Sequence, residues 1–150
     1  MKTIFDQSIR NQLIERIKQI NENHQAAWGK MNVFQMLQHN TYWNAWILGK
    51  NKATYKQSLL GKIFGKMALN KMLKDEKPFD KNVPTSRQFK AKKLSGDLTS
   101  EKAKWIYLIQ EYENFSNPGF IHDFFGKMNK EQIGRLAYKH TDHHLRQFGL

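Results

Sequence analysis

Residues 33–48 read VFQMLQHNTYWNAWIL, and they decide the fold. No Asp, Glu, Lys or Arg stands among them. On a helix drawn through this stretch, Phe34, Leu37 and Leu48 fall on one side. Met36, Trp43, Trp46 and Ile47 fall on another. A helix that is apolar on most of its sides belongs in the middle of a helical assembly. Asn32 followed by Gln35 is a capping box that opens it, and Gly49 is placed to stop it. Into this central element the sequence puts His39.

Helical spacing continues on both sides. Ile9, Leu13, Ile17 and Ile20 predict a helix over about 7–22, with Asp6 as N-cap. Leu59, Leu60, Ile63, Phe64 and Met67 predict another over about 55–73, loosened by Gly61 and Gly65, which also permit close packing. Residues 74–98, with Pro78, Pro84, Ser95 and Gly96, are expected to be irregular. A connection that long within a compact domain is functional or wraps a surface. Trp105, Leu108, Ile109 and Tyr112 predict a helix over about 100–115. After the Asn117-Pro118-Gly119 turn, Asn129 and Gln132 form a second capping box and open a helix that runs to about Phe148. No strand pattern competes. The expectation is an all-α helical bundle, one domain over residues 1–150.

The chain has no cysteine, which excludes disulfides, a cysteine nucleophile, thiolate zinc and iron–sulfur clusters. This fits a cytoplasmic protein. Asp6 interrupts the N-terminal apolar run too early for a signal-peptide core. The uncharged stretch Met31–Gly49 is studded with Asn and Gln, so no membrane span and no membrane partner are expected. The net charge is +12, and residues 51–100 hold twelve Lys and Arg against four Asp and Glu. That excess could form a polyanion footprint, but only Arg87 among those cations is an arginine and no nucleic-acid motif accompanies it. Specific nucleic-acid binding is not expected.

Three of six histidines fall within five residues: His140, His143 and His144. With His140 at 0° on the helix, His144 lies at about +40°, Ile133, Leu136 and Ala137 within about 60°, and Arg135, Lys139, Asp142 and Arg146 on the opposite side. His140 and His144 therefore sit mid-way across the apolar face, with His143 at its border. Imidazoles at i and i+4 have Cβ atoms about 5–6 Å apart and can reach one ion. The strings Gly29-Lys30-Met31-Asn32-x-x-Gln35 and Gly126-Lys127-Met128-Asn129-x-x-Gln132 share a register, and His39, His140 and His144 occupy successive turns of one face counted from the two asparagines. Two readings stand at this point. One ion could satisfy all three imidazoles, or each could be hydrogen-bonded as a structural core residue. The HxxxH lacks the glutamate of a zincin motif. His24 is expected at an exposed helix end. His122, in the apolar loop before Phe124, is a fourth polar group with an expected structural role. Tyr42, Trp43 and Trp46 either line a pocket or serve as core aromatics.

The helix-2 histidine combined with the C-terminal HxxxH resembles the DinB-like superfamily, also called YfiT-like metal-dependent hydrolases. Trp28-Gly29-Lys30-Met31 with Met36-Leu37-x-His39, and Phe124-Phe125-Gly126-Lys127-Met128 through His140-x-x-His143-His144-Leu145-Arg146-Gln147-Phe148-Gly149, resemble its branch of domains of unknown function. The loop Lys77-Pro78 through Asn82-Val83-Pro84-Thr85 does so as well. The resemblance covers nearly the whole chain. It implies a four-helix bundle, up-down-down-up, with a long irregular cross-connection. It also implies a divalent nickel or zinc ion on His39, His140 and His144, with other coordination positions left for water or substrate. Relatives include thiol-dependent S-transferases and a maleylpyruvate isomerase, and many are dimers, so a homodimer acting on a small molecule is implied.

Three functional classes follow. The first is a metal-dependent enzyme of hydrolase or S-transferase type; no separate general base is visible, Asp142 is expected on the outer face, and Asp123 or His122 could approach from the loop. The second is a non-catalytic metal- or ligand-binding module. The third is a basic interaction protein using residues 52–93.

Overall fold

Both predicted capping boxes form. The Asn32 side chain accepts from the backbone N–H of Gln35 at 2.8 Å, and the Gln35 side chain accepts from that of Asn32 at 3.1 Å. Asn129 and Gln132 repeat the arrangement at 2.8 and 3.0 Å. These reciprocal bonds satisfy donors that every helix start leaves free. The computed structural model describes residues 1–52 and 55–150, and among them there are five α-helices. They are α1 (Gln7–Lys18), α2 (Val33–Ile47), α3 (Leu59–Leu73), α4 (Leu98–Glu111) and α5 (Lys130–Gln147). Short 3₁₀ turns cover Arg87–Phe89 and Tyr112–Asn114.

Helix α2 is central. Twelve of its fifteen residues are buried, so its polar side chains must find partners inside. The Asn40 amide donates to the Met36 carbonyl at 2.9 Å and the Asn44 amide to that of Asn40 at 2.8 Å. The Tyr112 hydroxyl donates to Asn44 Oδ1 at 2.9 Å. Helix α2 packs most extensively on α4, α4 also on α1, α1 on α5, and α5 on α2. Helix α3 lies outside that ring, against α5 and the strand Gly126–Lys127. Among the described residues no helix is long and apolar enough to cross a membrane.

Four expectations need correction. Helix α1 ends at Lys18, not near residue 22, because Asn21 and His24 form local side-chain turns there. Buried Ile20 arrives on a 3₁₀ turn instead. Asp6 occupies the N-cap position, but its side chain makes no capping bond. Helix α3 starts at Leu59, where Ser58 accepts from the Gly61 N–H at 3.1 Å. A two-residue antiparallel pair, Ile121–His122 (β1) with Gly126–Lys127 (β2), joins the helices; strands this short carry no periodicity to read.

The spacing leaves open which face of α3 is inside, and the structure decides it. Leu59, Leu60, Ile63, Phe64 and Met67 point outward, between 47% and 79% exposed. Gly61, Gly65, Leu69 and Leu73 face inward. The glycines select that face, because a Cβ at either would overlap the carbonyl oxygen of Phe124. Replacing Gly65 by alanine is therefore expected to lower stability by about 1–3 kcal/mol, as overpacking does when the neighbour is backbone that cannot rotate away. Urea unfolding of the variant measures this, and an unchanged midpoint would show that the contact is not close.

Candidate metal centre

His39 projects from α2, and His140 and His144 project from successive turns of α5. One nitrogen from each lies within 4.8 Å of the others. The ring centroids are 4.7–5.1 Å apart. This is the face that the helical angles predicted, and α2 and α5 bring the two halves together.

The hydrogen bonds determine which nitrogen of two rings is bare. His39 Nδ1 lies 2.9 Å from the Phe89 carbonyl oxygen. A carbonyl only accepts, so Nδ1 carries the proton and Nε2 of the neutral ring presents a lone pair, which can accept from His140 Nε2 or bind an ion. His144 Nδ1 lies 2.9 Å from Gln147 Oε1. The Gln147 amide is oriented by donating through Nε2 to the Trp28 carbonyl at 2.7 Å, which leaves its oxygen toward His144. Hence His144 Nδ1 also carries the proton and its Nε2 is bare. His140 Nε2 stands 3.2 Å from His39 Nε2, and its Nδ1 is buried without a hydrogen-bond partner among the described residues.

Burial keeps the rings neutral. His39 is 3% and His144 7% exposed, while His140 keeps a partly accessible edge. Burial is the chief cause that lowers the pKa of His39, where the bond to Phe89 opposes it and His143 adds to it. His140 is held well below the usual value by burial first, then by the charge that His144 would carry. His144 is likewise held well below by burial and by His39, against the opposing bond to Gln147. Neutral imidazoles with converging lone pairs are the form that binds a divalent ion. A metal–nitrogen distance of about 2.0–2.1 Å places two ligand atoms about 3–4 Å apart, so the 3.2 Å pair fits and the widest pair closes slightly on binding. An all-imidazole donor set suits zinc, nickel, copper or iron, and these residues therefore fit the divalent ion that the resemblance implies.

The surroundings sort the remaining candidates. Trp43 stacks on His140, with centroids 3.9 Å apart and planes 11° from parallel. Trp46 is fully buried among Phe89, Phe120 and His122 and is a core aromatic. The half-buried Tyr42 offers its carbonyl to the Asn51 amide at 3.0 Å. His143 packs edge-on against Trp28 and His144 and lies outside the three-nitrogen cluster. His122 Nδ1 accepts from the backbone N–H groups of Phe124 and Phe125, a structural task in the β1–β2 turn. His24 is half-buried rather than exposed, and its Nδ1 accepts from the Asn21 N–H.

Neither aspartate is free to act as a base. Asp142 is buried rather than solvated, 2.7 Å from Arg16 and 2.6 Å from Arg146. Burial pushes the Asp123 pKa up, but the side chains of His122, Ser86 and Gln88 beside it outweigh that and hold the carboxyl below its usual range; the Gln88 amide donates to it at 3.1 Å. Lys139 is also covered, donating to the Met72 and Asp75 carbonyls. On the outer side of α5, Asp142 and Lys139 are thus covered by α1 and by the end of α3, while Arg146 stays exposed.

Sequence reasoning missed two supports, the Phe89 carbonyl and Gln147. Gln147 lies three residues after His144, but its partner Trp28 is 119 positions away. Gly29 makes the approach feasible: it has φ +84°, and a Cβ there would come 2.7 Å from Gln147 Nε2. Replacing Gln147 by leucine is expected to weaken ion binding about 10–100-fold, the usual cost of losing a partner that orients a ligand. Competition against a chelator of known affinity measures it. Unchanged affinity would mean that the bond does not set the His144 ring.

No curated protein and no solved structure matches the chain. A family model described as "Protein of unknown function (DUF1569)" matches residues 6–149. That span takes in both capping boxes, the three imidazoles and Gln147, and the chain belongs to this family.

Proposed function

We propose that the chain is a metal-dependent enzyme of the DinB/YfiT-like class, a hydrolase or thiol-dependent transferase acting on a small molecule. Its fold would be the four-helix bundle of that class, formed by α1, α2, α4 and α5, with α3 carried in the long cross-connection. The single observation that carries this reading is the convergence of His39 Nε2 and His144 Nε2, both left bare by their Nδ1 bonds, on His140. A nickel or zinc ion held by these three would polarise a substrate and lower the pKa of water at its open positions.

The chain's own residues prepare the site. Phe89 and Gln147 hold protons on the outward nitrogens of His39 and His144. Trp43 covers one face of His140 and excludes water there. No carboxylate belongs to the cluster among the described residues, so the three ligands contribute no charge that would compete with an anionic substrate.

A second reading, a non-catalytic metal-binding module, is favoured by the burial of His39 and His144. A surface cleft of about 250 Å³, lined by residues including Lys2, Arg16, Tyr138 and Arg146, contains none of the three imidazoles. Turnover separates the two readings. Protein loaded with zinc or nickel, assayed against esters, amides and thiol-plus-electrophile pairs, is expected to turn over at least one pair. Activity should disappear on chelation and return on reloading. One ion held per chain with no turnover across the panel would assign the second reading.

A further inference from the structure

Helix α3 presents an apolar stripe that none of the described residues covers. At about 100° per residue, Leu59, Ile63, Met67, Leu60 and Phe64 share an arc of about 140° on its outer side. Each is between 47% and 79% exposed. On an ordinary monomer, exposed apolar residues are scattered singly, and a continuous patch marks an interaction site.

The charges around the stripe select its occupant. Lys62 and Lys66 run along one flank, at about 300° and 340° on the same projection, and Lys71 closes the C-terminal end. All three are exposed, as are Lys56 and Lys74 beyond the two ends of the helix. Helix α3 contains no Asp or Glu. The nearest acids along the chain, Asp75 and Glu76, lie past its C-cap, and Glu76 accepts from the Lys2 N–H at 2.8 Å. A helix with an apolar face bordered by lysines suits the headgroup boundary of an anionic bilayer, where the apolar side chains enter the acyl region and the ammonium groups meet phosphates.

A second copy of this chain is a poorer match. An antiparallel two-fold pairing of α3 on itself would bring Lys62 and Lys66 of both copies to one seam without a carboxylate on the helix to offset them. The helix is also already formed and fixed. Gly61 and Gly65 lie directly on the Phe124 backbone, so the stripe is held outward and no helix-forming cost falls on binding.

We propose that the outer face of α3 is a docking surface for anionic lipid membranes, on which the protein lies peripherally without spanning. This revises the expectation of no membrane partner and does not depend on the metal site.

The test is co-sedimentation of the full chain with phosphatidylcholine vesicles, with and without phosphatidylglycerol. Because the chain has no cysteine, Ile63→Cys also accepts a single environment-sensitive fluorophore. Binding is expected with phosphatidylglycerol only, weakening as salt rises, with a blue shift of the label. Phe64→Gln and the double variant Lys62→Glu with Lys66→Glu should each weaken binding about tenfold or more, since each removes one of the two attractions. These positions are exposed, so circular dichroism should show unchanged folding. Three results would overturn the proposal: no sedimentation with anionic vesicles, binding unaffected by these variants, or a dimer in solution that Ile63→Gln dissociates.

Discussion

Alanine in place of His39, His140 or His144 is expected to abolish stoichiometric retention of a divalent ion. Each of the three supplies one ligand nitrogen, and no fourth His, Cys, Asp or Glu joins the cluster among the described residues. Structural zinc sites have apparent binding free energies of about 10–16 kcal/mol, so one ligand in three accounts for roughly 3–5 kcal/mol, or a factor on the order of 10²–10⁴ in affinity. His143→Ala tests the geometry from the other side. Its ring touches Trp28 and His144, with centroids 5.7 and 5.1 Å away, but it offers nothing to the cluster. Its loss should weaken binding only about 10–100-fold, as for a residue that supports a ligand. Mass-spectrometric metal content of each variant after identical purification reads both outcomes. Full occupancy in His39→Ala or His140→Ala would refute the cluster as a site. Full loss in His143→Ala with retention in His144→Ala would place the ion on the i, i+3 pair instead.

The second large effect concerns acid. Burial lowers the pKa of His39, and with the neighbouring imidazoles it lowers His140 and His144 well below the ordinary value. Below about pH 6.5 the unfolded chain binds protons at these positions while the folded chain does not. Stability therefore rises with pH in that window. Equivalently, it is fully present above about 6.5 and is lost as pH falls toward the depressed folded values. Each such group contributes up to about 1.4 kcal/mol per pH unit where it is protonated in the unfolded chain and neutral in the folded one, against a typical total of about 5–15 kcal/mol. Urea unfolding of ion-free protein between pH 7.5 and 5 measures the slope. A midpoint independent of pH across that range would show that the rings titrate in the folded state as freely as in the unfolded chain. With an ion bound the loss should steepen, because the ligands must be neutral to hold it.

What could be read from the residues, and what could not, divides along physical lines. Helix α2 was legible because both its start and its burial have local signals: the Asn32–Gln35 box and sixteen residues without charge. His140 and His144 were legible because helical angle depends on spacing alone. The inward face of α3 was not, because Leu59-Ile63-Met67 and Gly61-Gly65-Leu69 are equally periodic. Only the approach of the Phe124 backbone decides between them. The Phe89 carbonyl was invisible for a different reason: every residue carries that acceptor, and its placement depends on how residues 74–98 cross the bundle. Asp142 was legible only as a charge on the outer face of its helix, since nothing in α5 itself shows that Arg16 of α1 will cover it.

The proposed function stands or falls on one divalent ion held among three specific nitrogens. Crystals of untagged protein, measured on either side of the zinc or nickel absorption edge, test it most directly. One anomalous peak per chain is expected, about 2.0–2.1 Å from an Nε2 of each of His39, His140 and His144, with at least one further position open to solvent. A map with no peak there after metal loading, or with the ion on His143 or on surface carboxylates, would contradict it.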